Sequence, residues 1–125
     1  MIPVCAADDL VDAGQGVRFD LVIDGNRATG FVVRYRGIVV GYLNRCAHVA
    51  MELDWLPGLF FEDEGRYLMC ATHGAIYEPA SGACAGGPCL GRGGLLALEV
   101  VEREGKIWWV PSVGMASGAP PSAAS

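Results

Sequence analysis

The 125-residue sequence lacks any long uninterrupted apolar run, although 52% of its residues are hydrophobic. A helix that spans a bilayer needs about 18 or more consecutive apolar residues, so we expect neither a transmembrane anchor nor a membrane partner. The first nine residues carry no positive charge and no sustained apolar segment, which predicts that no secretory signal is present. We therefore expect a cytoplasmic protein.

Positive charge is also scarce in the sequence. Nine Lys and Arg residues stand against 14 Asp and Glu residues, which gives a net charge of -5 and a pI near 4.8. This balance argues against nucleic acid as a partner and favours docking to a protein with a basic surface patch. The length suits one domain with its own core.

Helical periodicity is missing from the sequence, and strand patterns take its place. Residues 17–23, 29–35 and 38–43 alternate or are rich in β-branched and aromatic residues, which predicts strands. Asp24-Gly25-Asn26 and Arg36-Gly37 separate them and are typical of tight turns. A further hairpin is indicated by residues 95–103 and 106–110 around Glu104-Gly105. The pattern predicts an all-β, antiparallel protein.

Composition divides the chain into three parts. Residues 1–111 are predicted to form one domain, and residues 45–94 within it depart from the strand pattern into loops dense in Gly, Pro, Cys and His. Such loops are where function is usually located. Residues 112–125 contain Ser, Gly, Ala and Pro but no charge, and they are predicted to be a flexible tail.

The chain has only two histidines, and each lies beside a cysteine, in Cys46-Ala47-His48 and in Cys70-Ala71-Thr72-His73. Five cysteines form an odd number, which suits metal ligation in an intracellular protein better than a disulfide framework. Two thiolates with two imidazoles can bind tetrahedral zinc, or a two-iron cluster in which histidines replace two thiolates. Both kinds of site are open on residue types alone.

The arrangement of the four residues favours the cluster. Zinc fingers usually take like ligands from each arm, whereas each arm here is mixed, so that each loop can send Cys to one iron and His to the other. Two thiolates balance the charge of an oxidised cluster core, and a neutral site accepts an electron more easily than a dianionic one. Histidine-ligated clusters accordingly lie at roughly -150 to +300 mV, against about -400 mV for plant-type clusters. We therefore expect a one-electron carrier.

These two motifs resemble the ligand loops of the Rieske family, Cys-X-His and Cys-X-X-His-Gly, with Gly74 completing the second motif. Gly86-Gly87-Pro88 is similar to the proline loop that shields the cluster in that family. The resemblance implies an antiparallel sandwich or barrel with a small cluster-binding subdomain of loops and short strands, at residues 45–94. It also implies one 2Fe-2S cluster, bound by Cys46, His48, Cys70 and His73.

Departures from the family pattern indicate the subtype. High-potential members carry an additional Cys in each ligand loop and a Ser near the second; this sequence has Met51, Thr72 and Ala75 there. These differences resemble the low-potential ferredoxin branch, although Tyr77 is more typical of high-potential members. The resemblance implies a soluble ferredoxin that takes electrons from a flavin reductase and passes them to an oxygenase.

Other functions than that of a ferredoxin can use the same four residues. Once the cluster is ligated no histidine is left for the mononuclear iron of an oxygenase, so we expect an electron carrier and not an enzyme. The alternatives are a small Rieske-like subunit of a larger reductase, such as nitrite reductase, and a structural zinc module.

Three further cysteines and two acidic residues have weaker predictions. Cys84 and Cys89 flank the Gly-Gly-Pro segment, and we expect them to be small buried thiols in preference to a disulfide or a redox sensor. Cys5 is expected to have no chemical role. Glu52 and Asp54 have strand spacing but no partner base, so no acid-base site is predicted there.

Overall fold

The computed structural model describes residues 1–45, 53–54, 58–62, 64–70, 74–87 and 93–118. Within these ranges the chain forms one 3-10 turn, Ala7–Asp9, and ten strands. The strands are β1 (Ile2–Ala6), β2 (Val17–Ile23), β3 (Asn26–Tyr35), β4 (Ile38–Leu43), β5 (Leu68–Met69), β6 (Ile76–Tyr77), β7 (Cys84–Gly86), β8 (Ala97–Arg103), β9 (Lys106–Val110) and β10 (Met115–Ser117). No helix in the described part of the chain is long and apolar enough to cross a membrane.

The strands form two antiparallel sheets. Seven strands make a nearly closed sheet in the order β1-β9-β8-β4-β3-β2-β10, and three short strands make a second sheet in the order β5-β6-β7. The second sheet lies within the chain segment that separates β4 from β8. The predicted fold class, an all-β sandwich or barrel with a small subdomain of loops and short strands, is confirmed.

Three tight turns set the register of the large sheet. A two-residue turn whose backbone twist matches that of the flanking strands needs positive φ at both residues, and Gly at the second position allows this at little cost. Each of the three predicted turns has this conformation: Asp24 and Gly25 at 50° and 82°, Arg36 and Gly37 at 51° and 80°, and Glu104 and Gly105 at 53° and 75°.

A buried aromatic cluster joins the two sheets. Phe31 of β3 stacks on Phe60 with ring centroids 3.9 Å apart, and both side chains are fully buried. The buried Tyr42 of β4 donates a hydrogen bond of 2.6 Å to the carbonyl oxygen of Pro79. Burial of one large apolar side chain stabilises a fold by about 1.5–3 kcal/mol, so these contacts fix the small sheet on the large one.

The structure departs from the strand prediction at several ends. β3 begins at Asn26 and not at residue 29, and β8 begins at Ala97 and not at residue 95. β1 was not predicted. It pairs with β9, and the pattern of residues within a single short segment does not reveal a partner so far along the chain.

The prediction of a flexible tail at 112–125 does not hold for residues 112–118. Met115–Ser117 pairs with β2 from Leu21 to Ile23, and the backbone N–H of Gly118 donates to the carbonyl oxygen of Asp20 at 3.1 Å. Backbone hydrogen bonds to the edge strand β2 thus order residues 115–118, although their composition indicated no structure. Residues 119–125 lie outside the described residues.

Candidate metal centre

The first predicted ligand loop, residues 46–52, follows residues whose backbone is hydrogen-bonded to the large sheet. Cys46 and His48 themselves lie outside the described residues. β4 ends at Leu43, whose N–H donates to the Leu96 carbonyl at 2.8 Å, and the N–H of Asn44 donates to the Thr29 carbonyl at 2.7 Å. The loop therefore leaves the sheet from a backbone that is hydrogen-bonded on both sides.

Where this loop ends, a polar cluster ties it to its start. The Asn44 Nδ2 group donates to Asp54 Oδ1 at 2.9 Å, and the Leu53 N–H donates to Asn44 Oδ1 at 2.8 Å. The Gly58 N–H donates to Asp54 Oδ2 at 2.9 Å. Asn44 and Asp54 are buried, so these bonds satisfy polar atoms that water does not reach.

A cation completes the surroundings of Asp54. Arg18 on β2 places its Nε 3.6 Å from Asp54 Oδ2, and the Asp54 side chain is fully buried while that of Arg18 is 32% exposed. A buried carboxylate is tolerated when a cation and hydrogen-bond donors surround it. Asp54 thus has donors from Asn44 and Gly58 and an ion pair with Arg18.

The second predicted ligand loop is closed by its own backbone. Cys70 follows β5, its N–H donates to the Ala75 carbonyl at 2.9 Å, and the Gly74 N–H donates back to the Cys70 carbonyl at 2.7 Å. Gly74 has a φ of 77°, which suits glycine. His73 lies between these two fixed residues but outside the described part of the chain.

Cys70 suits the role of a thiolate ligand. It is fully buried and takes part in no disulfide. It belongs to the same buried cluster as Leu53, the residue that follows the first ligand loop. The bases of the two predicted ligand loops therefore meet in one core, as ligands that share one cluster require.

The Gly-Gly-Pro segment packs directly on the second ligand loop. Gly87 has a φ of 80°, and a Cβ atom at this position would lie 2.7 Å from the Gly74 carbonyl oxygen and 2.9 Å from Ala75 Cα. The pairing of Ile76 with Gly86 holds the two segments side by side. Only glycine permits so close an approach; Pro88 lies outside the described residues.

Cys84 is disulfide-bonded, so the prediction of a buried thiol is wrong for this residue. A disulfide depends on the distance between two Cα atoms, which the chain path sets and the sequence does not show. Cys89 lies outside the described residues. Cys5 is a free thiol whose pKa is raised to about 11, first by burial and then by the charge of Asp9, while Arg34 opposes the shift.

Only one of the four predicted ligands, Cys70, is among the described residues. Within those residues no group of three or more His, Cys, Asp or Glu side chains could hold a metal ion. The set Cys46, His48, Cys70 and His73 therefore stays a prediction. Sequence reasoning missed Asn44 and gave Asp54 no role, although a polar pair flanking a run of predicted ligands could have drawn attention to both; Glu52 lies outside the described residues.

The described structure is a small β fold in which the bases of two loops adjoin, one of them carrying the buried thiol of Cys70. The sequence model of the family described as the Rieske [2Fe-2S] domain matches residues 1–112. The chain belongs to this family, and its cofactor is a 2Fe-2S cluster. The resemblance and the cofactor prediction are confirmed.

Solved structures with the same fold include ferredoxins and an oxygenase. The ferredoxin of carbazole 1,9a-dioxygenase from Nocardioides aromaticivorans IC177 is 27% identical, with a TM-score of 0.69 over 89% of this chain and 97% of that chain. One chain of the complex of reduced oxygenase and oxidized ferredoxin in carbazole 1,9a-dioxygenase is 25% identical, with a TM-score of 0.67 over 87% and 100%.

The terminal oxygenase of carbazole 1,9a-dioxygenase from the same Nocardioides strain is 20% identical, with a TM-score of 0.65 over 86% of this chain but 29% of that chain. At this identity the likeness concerns the fold alone. No protein of curated function matches the sequence.

Proposed function

We propose that this protein is a Rieske-type ferredoxin that carries single electrons to a terminal oxygenase. The observation that carries the proposal is the match to the carbazole dioxygenase ferredoxin, which extends over 97% of that ferredoxin at 27% identity. A flavin reductase is the proposed donor. We propose a cytoplasmic location and a role as electron carrier, with no catalysis of its own.

The proposed ligands are Cys46 and His48 in the first loop and Cys70 and His73 in the second, within a cluster-binding subdomain at 45–94. When bound, the cluster takes up and releases one electron at a potential set by its ligands. The burial of Cys70, together with the adjoining base of the first loop at Leu53, supports this ligand set.

The protein supplies three things to this electron transfer. The bases of the two loops meet in one buried core, Gly87 packs against Gly74 and Ala75 at the end of the second loop, and the contacts of Phe31 and Tyr42 fix the small sheet on the large one. A site that moves little between its two redox states loses little energy on reorganisation. The acidic surface suits transient docking to a basic patch on the partner, through a small interface.

Cofactor analysis of the purified protein tests the first half of the proposal. We expect equal amounts of iron and inorganic sulfide, and a midpoint potential in the lower part of the range of roughly -150 to +300 mV for histidine-ligated clusters. Zinc in place of iron would contradict the cluster, and a midpoint above about +100 mV would contradict the ferredoxin branch. Cys70→Ser should abolish cluster binding, while Cys5→Ser, the matched control at a thiol away from the loops, should retain it.

Electron delivery tests the second half. Protein reduced by a flavin-dependent reductase is mixed anaerobically with an oxidised ring-hydroxylating oxygenase, and reoxidation of its cluster is followed by absorbance. Rapid reoxidation that slows as the salt concentration rises supports a transient electrostatic complex. Stable co-purification with a large reductase, with no transfer to oxygenases, would contradict the ferredoxin and favour a reductase subunit.

A further inference from the structure

The polar cluster at the base of the first ligand loop connects the residues that immediately flank this loop. Asn44 stands two residues before Cys46, and Leu53 and Asp54 follow the loop directly. The Asn44 amide accepts from the Leu53 N–H at 2.8 Å and donates to the Asp54 carboxylate at 2.9 Å. One side chain before the loop thus bonds both residues that follow it.

The cluster is fixed in direction as well as in place. The Asn44 oxygen faces a backbone donor and its nitrogen faces a carboxylate, so a flipped amide would lose both bonds. The second Asp54 oxygen accepts from the Gly58 N–H at 2.9 Å and lies 3.6 Å from Arg18 Nε. Because Asn44 and Asp54 are both buried, loss of either partner leaves a polar atom without water or a hydrogen bond, which is unfavourable.

We propose that Asn44 and Asp54 are positioning residues of the cluster site, which hold together the two ends of the loop that carries the proposed ligands Cys46 and His48. This inference rests on the proposed function. This polar cluster consists of protein groups alone. The distance between the two ends of the loop therefore stays the same whether or not metal is bound. A preorganised ligand set holds its metal more tightly than one that the metal must order.

Exchanging the side chains of Asn44 and Asp54 tests this positioning role directly. In Asn44→Asp the Leu53 N–H keeps an acceptor, but two carboxylates face one another. In Asp54→Asn one amide cannot serve both the Asn44 and the Gly58 donors as an acceptor. The double variant Asn44→Asp/Asp54→Asn restores all three hydrogen bonds, because the new carboxylate accepts from Leu53 and from the new amide, whose oxygen accepts from Gly58. Total charge is also restored.

The measurement is the rate at which the holo-protein loses iron to a chelator. Removing a residue that orients metal ligands typically costs about 10–100-fold in metal affinity. We therefore expect each single variant to release its iron at least about ten times faster than the wild type. The double variant should return close to the wild-type rate. The midpoint potential is a second readout: Asp54→Asn removes a buried negative charge and should raise it, and the double variant should return it.

Asp12→Asn is the matched control for general destabilisation. The Asp12 carboxylate accepts from the N–H groups of Gly37 at 2.6 Å and Arg36 at 3.1 Å, in the turn between β3 and β4. The Asp12 carboxylate accepts backbone hydrogen bonds in this turn, as the Asp54 carboxylate does beside the ligand loop. Asp12→Asn should therefore lower the stability to urea but leave the rate of iron loss unchanged.

The outcomes separate the two proposals. Single variants that lose iron at the wild-type rate, or a double variant as fast as the singles, would overturn the positioning role. If a single variant fails to fold, the double variant alone decides, since a folded double variant with fast iron loss also overturns it. A wild-type protein that holds no 2Fe-2S cluster contradicts the proposed function itself and the inference with it.

Discussion

Replacement of Gly87 by alanine should disturb the second ligand loop more than the backbone conformation alone can explain. Gly87 has a φ of 80°, and a Cβ atom there would lie 2.7 Å from the Gly74 oxygen and 2.9 Å from Ala75 Cα. Both neighbours are backbone atoms, so neither can rotate away. The second loop must shift, or the β6–β7 pairing must open.

The expected magnitude has two parts. A left-handed conformation costs an L-residue about 1–2 kcal/mol, and the forced backbone shift adds about 1–3 kcal/mol. Gly25→Ala isolates the first part, because Gly25 has a φ of 82° and a Cβ atom there would meet nothing within 4 Å. We therefore expect Gly87→Ala to lose about 2–5 kcal/mol of unfolding free energy and Gly25→Ala about 1–2 kcal/mol.

Urea unfolding of both variants measures these losses, and iron content per chain measures the effect on the site. Gly87→Ala should also bind less iron, since Gly74 follows His73 directly, whereas Gly25→Ala should retain its full content. Equal destabilisation by the two substitutions, or a full iron content in Gly87→Ala, would refute the argument from close approach.

Three further outcomes are expected. His48→Cys or His73→Cys, where the cluster survives, should lower the midpoint potential in direct electrochemistry, because each adds a negative ligand charge; an unchanged or higher potential would contradict this. In denatured, unreduced protein freed of iron, alkylation and mass spectrometry should find Cys84 blocked and both Cys5 and Cys70 reactive; alkylated Cys84 would contradict the disulfide. Tyr42→Phe should cost about 1–2 kcal/mol in urea unfolding at neutral pH, because the Pro79 oxygen loses its buried donor. Burial raises the pKa of Tyr42 to about 12 from 10.0, so its stabilisation is complete below pH 10 and is lost as the pH rises toward 12; a wild-type advantage over Tyr42→Phe that stays constant across this range would contradict the shift.

The parts of the fold that could be predicted are those encoded over short distances. Asp24-Gly25 and Glu104-Gly105 specify their turns by chemistry, and the strands that flank them carry their own pattern. β1 and β10 were missed because each is defined by a partner far along the chain, β9 or β2. The strands β5 to β7 are two or three residues long, too short for any periodicity.

The same distinction holds for the site. The Cys-X-His and Cys-X-X-His spacings are local and identified the family, whereas the contact between Asn44 and Asp54 joins residues ten positions apart across a loop. Which polar side chains meet there depends on the path by which the chain returns to the sheet after the loop. The disulfide at Cys84 depends on the chain path in the same way.

The seven-stranded sheet ends on one side in β10, a strand of three residues that covers Leu21–Ile23 of the seven-residue β2. A long bare strand at that border would offer a template on which further molecules could add by backbone pairing. The three-residue strand β10 covers Leu21–Ile23 and is itself too short to offer such a template. The last described residues of the chain thereby limit backbone pairing with further molecules along this part of the border.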